Sequence, residues 1–220
     1  LDPTFNPLKI SRAGLDQIEY ADWFAVHTYV LKKIKLSPAY LFGLNQDNYG
    51  WDRWVSYLFV HIGWYHLISN LVFLLLFGAL IETMFGGIVV ALVFFGSGFL
   101  AAPIYMYLTE LNDVSMVGAS GGVCGLIAFY AVSNFYSKIR YWYWVLPFDK
   151  YYGFTYLSSG YILFLWLISD LAGYFSGVAF LDNVAYAAHL GGFIVGVICA
   201  LGINAYKSYI ESQKYRLIPH

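Results

Sequence analysis

Charged positions divide this chain into long apolar blocks. No Asp, Glu, Lys or Arg occurs in 63–81, 83–109, 114–137, 154–169 or 183–206. Crossing a bilayer as a helix takes about 20 mostly apolar residues, and four of the blocks are near or above that length. The remaining one, 154–169, continues past a single acid, Asp170, into the apolar 171–181 and so also spans. The pattern predicts five transmembrane helices: A over about 63–84, B over 86–108, C over 115–136, D over 157–181 and E over 184–206. Gly86-Gly87 forms a tight turn between A and B. The expected fold class is an all-α polytopic membrane protein, with 54–206 as its membrane domain.

The flanks read differently. Residues 1–53 carry charges throughout, including Asp16, Glu19, Asp22, Lys32, Lys33 and Lys35. Their most apolar piece, 23–31, contains His27 and is too short to span. It suits a helix lying in the interface, with Trp and Tyr at headgroup depth, so 1–53 is an interfacial or juxtamembrane region. Residues 207–220 form a C-terminal tail.

Composition agrees. The 220-residue chain is 60% hydrophobic and 11% charged, against about 25% charged residues in soluble domains. It therefore lacks the polar surface that water demands, and the lipid bilayer is its expected partner. A net charge of −1 gives no reason to expect a polyanion, so no nucleic acid is expected. Cys124 and Cys199 fall inside predicted spans, as small buried hydrophobes.

Charge also orients the spans. Lys138, Arg140 and Lys150 lie in the C–D loop, and Lys207, Lys214 and Arg216 follow E. The positive-inside rule puts these inside, and the B–C and D–E loops outside. Lys32–Lys35 runs against this assignment. Measured down each helix at 1.5 Å per residue, four polar side chains then share one layer, roughly 5–10 Å below the outer surface. They are Ser120 on C, His189 on E, and His66 and Asn70 on one face of A. Polar residues within spans usually face the bundle interior and mark function.

Glycines allow that layer to close. C carries Gly118, Gly121, Gly122 and Gly125, and E carries Gly192 and Gly196 just below His189. Small-xxx-small faces permit close helix approach. If C packs on E, Ser120 meets an imidazole able to take its proton during attack. Each residue also has a plainer role: Ser120 as helix packing, His189 as a hydrogen-bonded interface residue, His66 and Asn70 as interhelical contacts. Asp170 suits a proton relay in a transporter. A metal held by His61, His66 and His189 would want an acid or cysteine at ligand spacing, and none adjoins them in sequence, so no metal and no cofactor are expected.

With these residues in place, the chain resembles the rhomboid intramembrane serine proteases. The serine motif reads Gly118-Ala119-Ser120-Gly121, and "HIGWYHLISN" supplies His61, His66 and Asn70 at the family spacing. Glu82 follows in the same helix, with Gly86 four further on. The last-helix pattern reads Ala188, His189, Gly192, Gly196, and Arg53 falls eight residues before His61. The resemblance covers about 50–206.

It implies a rhomboid-like helical bundle and a Ser-His dyad without an acid, cleaving peptide bonds in or near the transmembrane segments of membrane-protein substrates. Ser120 would be the nucleophile and His189 the general base. His66, Asn70 and the Ser120 N–H would form the oxyanion hole, where a fixed donor is worth about 3–4 kcal/mol. His61 would order the loop before A, while Arg53 and Glu82 would brace that loop and the helix end. The membrane implied is a bacterial inner (plasma) or a mitochondrial inner membrane. A non-catalytic chaperone or transporter on the same fold is the alternative.

Three departures accompany the resemblance. Cys124 stands where some members place an aromatic against the catalytic histidine, so Tyr186 or Tyr130 is expected to orient the imidazole. The family's Trp-Arg pair reads Asp52-Arg53. The usual core has six spans, and the sixth, not evident in 1–53, is expected either upstream of Leu1 or replaced by a different N-terminal region.

Overall fold

A computed structural model describes residues 17–109, 115–144, 152–176 and 185–216. Its helices are α1 (Gln17–Lys35), α2 (Pro38–Phe42), α3 (Arg53–Ser56, continued by a 3-10 turn, Tyr57–Phe59), α4 (Trp64–Phe85), α5 (Gly87–Leu108), α6 (Ser120–Ser133), α7 (Ser159–Ser176) and α8 (Tyr186–Arg216). Between α6 and α7 lies an antiparallel hairpin, β1 (Lys138–Trp144) and β2 (Tyr152–Ser158).

Predicted spans A and B become α4 and α5 almost residue for residue. Gly86 divides them: its φ of +85° suits glycine, and its N–H closes on the Glu82 carbonyl at 2.8 Å. α4, α5 and α8 are long and apolar enough to cross a membrane, whereas α6 and α7 are apolar but shorter. Among the described residues, three of the five expected spans are therefore full-length and two are shorter helices, α7 ending where the described residues end.

Span C shows why. Its first residues, 115–119, are not helical, because Gly118 takes φ +116° and Met116 pairs with Leu44 in an isolated bridge. The helix opens only at Ser120 and runs 14 residues, about 21 Å. Span D, expected from 157, starts at 159 because 152–158 form β2. Alternating Tyr and Trp in 141–144 count as apolar, yet they are strand formers. In register, Arg140 faces Tyr156, and its guanidinium lies 4.5 Å from the Phe154 ring centroid. The end expected for D, 177–181, lies outside the described residues.

The flanks also shift. The segment expected to lie in the interface contains a 19-residue helix, α1, with Lys32, Lys33 and Lys35 in its last turn, where they complement the helix dipole. The tail 207–220 does not begin as a separate piece: α8 continues through it to Arg216.

α6 lies at the centre, buried at every position of 121–131. A helix apolar all round is stable only when surrounded, and α4, α5, α7 and α8 surround it. At its C-terminal end, Asn134 reaches Met84 of α4, and Lys207 of α8 sits 3.9 Å from the Phe85 ring centroid. The basic hairpin thus shares the end of the bundle opposite Ser120. At the Ser120 end a second core forms from Leu44, Tyr57, Leu58, Ala101, Ala102, Met116 and Ala188.

Candidate active site

The site begins with a loop held from three sides. Leu44 and Met116 exchange backbone hydrogen bonds of 3.0 and 2.8 Å, Gly118 N–H donates to the Tyr57 carbonyl at 2.9 Å, and Ala119 N–H donates to His61 Nε2 at 3.4 Å. Tyr57, fully buried, donates its hydroxyl to the Gly98 carbonyl of α5 at 2.8 Å. Beneath them, Asn45 is buried and satisfied. Its Nδ2 donates to the Tyr40 carbonyl and Ser115 Oγ, and its Oδ1 accepts from the Asp47 and Asn48 N–H groups. Burial pushes the His61 pKa below its usual value, while a hydrogen bond to the Phe59 backbone opposes that. A neutral ring is the form that can accept from Ala119.

This loop delivers Ser120 to the first position of α6. No side chain caps that helix, so the first-turn N–H groups, that of Ser120 among them, have no acceptor within the helix. Ser120 is therefore at a helix start, not a turn inside one as the sequence pattern suggested. From α4, the half-buried His66 lies against the loop. A Cβ on Gly118 would come 2.6 Å from His66 Cε1 and 2.7 Å from Nε2, so glycine is required there by space as well as by φ. His61 meets His66 edge to face at 5.1 Å. Asn70, one turn below, is buried and donates from Nδ2 to the His66 carbonyl at 2.7 Å.

α8 brings the histidine. Gly192 rests on the Gly121 carbonyl and Gly196 on the Gly125 carbonyl, so closely that a Cβ on either would overlap that oxygen. Glycines on both helices make this approach possible. One turn above Gly192, His189 turns Nδ1 toward Asp170 of α7, 3.3 Å from each carboxylate oxygen.

Ser120, His66, Asn70, Cys124, Trp166 and His189 line one cavity of about 470 Å³. The four residues placed in one layer by the sequence thus share one chamber. Among the described residues, Ser120 Oγ makes no hydrogen bond, and none joins it to His189; such bonds commonly tighten only once substrate is bound. Arg53 and Glu82 are not in the chamber. Arg53 pairs with Asp52 at 3.3 Å and stacks over Phe42. Glu82 lies in the last turn of α4, about 27 Å along the axis from Trp64, with its carboxylate against Gly87 at the α4–α5 turn.

Two sets of contacts go beyond the sequence pattern. No acid adjoins the histidines in sequence, yet Cys124 and Asp170 both converge on His189, their ligand atoms all within 4.8 Å of one another. Tyr130 packs against Phe77 and does not line the chamber; the Tyr186 ring meets His189 edge-on at 6.2 Å. Asp170 was legible as an acid with no reason to face lipid, but its partner was not. Asn45 and Tyr57 carried no signal at all.

Comparison with known proteins gives one family match, the Rhomboid domain, over residues 48–205. The chain is 30% identical over 165 residues to rhomboid-like protein 11, chloroplastic, of Arabidopsis thaliana, covering 74% of this chain and 56% of that protein. It is 27% identical over 161 residues to rhomboid protease GlpG of Haemophilus influenzae, covering 73% of this chain and 72% of that one. Over 81 residues it is 37% identical to rhomboid-related protein 2 of Mus musculus, covering 36% of this chain and 25% of that protein.

Proposed function

Because the chain belongs to the rhomboid family, we propose that it is an intramembrane serine endopeptidase cleaving other membrane proteins in or near their transmembrane segments. One observation supports this above the rest: a serine at a helix N-terminus, a histidine, and two further donor-bearing side chains line one chamber. Ser120 Oγ attacks the scissile carbonyl carbon while His189 Nε2 takes the hydroxyl proton. The carbonyl oxygen becomes an oxyanion facing the Ser120 N–H, His66 and Asn70. The Asn70 amide can serve because its nitrogen carries two hydrogens, and the His66 carbonyl uses one. Collapse breaks the C–N bond, the imidazolium protonates the leaving amine, and water then releases the acyl group by the reverse proton path.

α6 and α7 complete a five-helix bundle, with 115–119 occupying the outer part of the space that a full-length α6 would fill. A substrate helix must unwind to present its carbonyl, since its own hydrogen bonds otherwise occupy that group. The test is labelling of the folded protein with a serine-directed fluorophosphonate. Labelling is expected at Ser120, and none in Ser120→Ala or His189→Ala. Labelling that survives His189→Ala refutes the assigned base, and a transporter or chaperone role would tolerate Ser120→Ala.

A further inference from the structure

The acid beside His189 lies outside the expected Ser-His pair. Asp170 comes from α7, 19 residues earlier in the chain. It is 5% exposed, and its Oδ2 has no hydrogen-bond partner among the described residues although it lies 3.3 Å from His189 Nδ1. Burying a carboxylate without partners is costly, and among the described residues the imidazole is the side chain brought to 3.3 Å of it, with the weakly donating Cys124 thiol beside the pair. Space for it exists because Cys124, small and fully buried, occupies the facing position on α6. An imidazole carries its two nitrogens on different edges. With Nδ1 turned to Asp170, Nε2 is left for the chamber that Ser120 lines.

We propose that Asp170 is a positioning residue for His189, making the site a Ser120–His189–Asp170 relay. Resting on the protease assignment above, this adds an acid to it. Asp170 accepts the Nδ1–H and so holds neutral His189 in the tautomer whose Nε2 lone pair can take the Ser120 proton. When that proton arrives, the imidazolium keeps both hydrogens and Asp170 stays ionised; no proton passes to the carboxylate. The plainer role for Asp170 is a polar strut between α7 and α8. A strut would need neither this tautomer nor a specific effect on turnover.

Two measurements separate them. In the wild-type protein, ¹⁵N spectra of labelled histidine, with the His189 signals assigned by their loss in His189→Gln, should show neutral His189 protonated at Nδ1. Protonation at Nε2 overturns the proposal. Asp170→Asn, which offers an amide N–H to Nδ1 and so favours the wrong tautomer, should lower kcat about 100-fold or more with KM changed less than about threefold. Asp170→Glu should recover part of the loss. A folded Asp170→Asn protein with kcat within about threefold of wild type overturns the proposal. Where Asp170→Asn does not fold, the wild-type tautomer decides. Failure of the wild type itself to label with fluorophosphonate would instead remove the protease assignment.

Discussion

Gly192→Ala puts the central helix contact under direct load. A Cβ there falls on the Gly121 carbonyl oxygen, 2.9 Å from its carbonyl carbon and 3.3 Å from Cys124 Cβ. Two of these three atoms are backbone, so α6 and α8 must separate, by on the order of 1 Å. Overpacking of this kind costs about 1–3 kcal/mol, partly offset by up to about 1 kcal/mol from the better helix propensity of alanine. A net loss of about 1–2 kcal/mol lowers Tm by about 2–4 °C per kcal/mol in a chain of this size. The larger effect is on turnover. His189 stands one turn above Gly192, and misplacing a reacting group by 1 Å can cost about 100-fold. Gly202→Ala, on the same helix with nothing within 4 Å of its Cβ position, is the control and should match wild type or gain slightly. Thermal unfolding and cleavage of one reconstituted transmembrane substrate, measured on both variants, provide the assay. If Gly192→Ala unfolds and turns over as Gly202→Ala does, the close α6–α8 contact is wrong.

Asn70→Ala should lower kcat about 100- to 1,000-fold with little change in KM, as expected for a donor acting on charge that forms only in the transition state. A loss of activity that merely follows lost stability would return Asn70 to helix packing. Asn45→Ala strands the buried groups it now satisfies, at a cost of about 1–3 kcal/mol. Denaturation should register that loss, and cleavage at a temperature where the variant stays folded should fall only modestly. A wild-type unfolding midpoint would contradict the role assigned to Asn45.

The helical blocks were legible because lipid imposes one rule, and apolar length without charge expresses it. α4 and α5 follow that rule closely, and Gly86-Gly87 separates them where the sequence indicates. The rule fails at α6 and at the hairpin. Hydropathy cannot distinguish a buried loop such as 115–119 from a helix, nor aromatic strands from an apolar span. Ser120, His66, Asn70 and His189 were legible together through motif spacing and equal depth. Asp170 was visible as an anomaly but not as a neighbour of His189, since that contact depends on how α7 rotates against α8. Asn45 and Tyr57 act through backbone atoms of distant loops, for which a sequence offers no pattern.

The shortness of α6 also makes it a ruler. Its 14 residues account for about 21 Å of a hydrocarbon layer about 30 Å thick. Under the proposed function, and with the hairpin end set at one boundary of that layer, Ser120 would stand about 9 Å inside the other. That distance is about six residues of helix. A polypeptide could then be selected by how far a weak point in its helix lies from the membrane surface, largely apart from which side chains flank the bond. Sliding that weak point a full turn deeper would carry it past Ser120, with every residue around the bond unchanged.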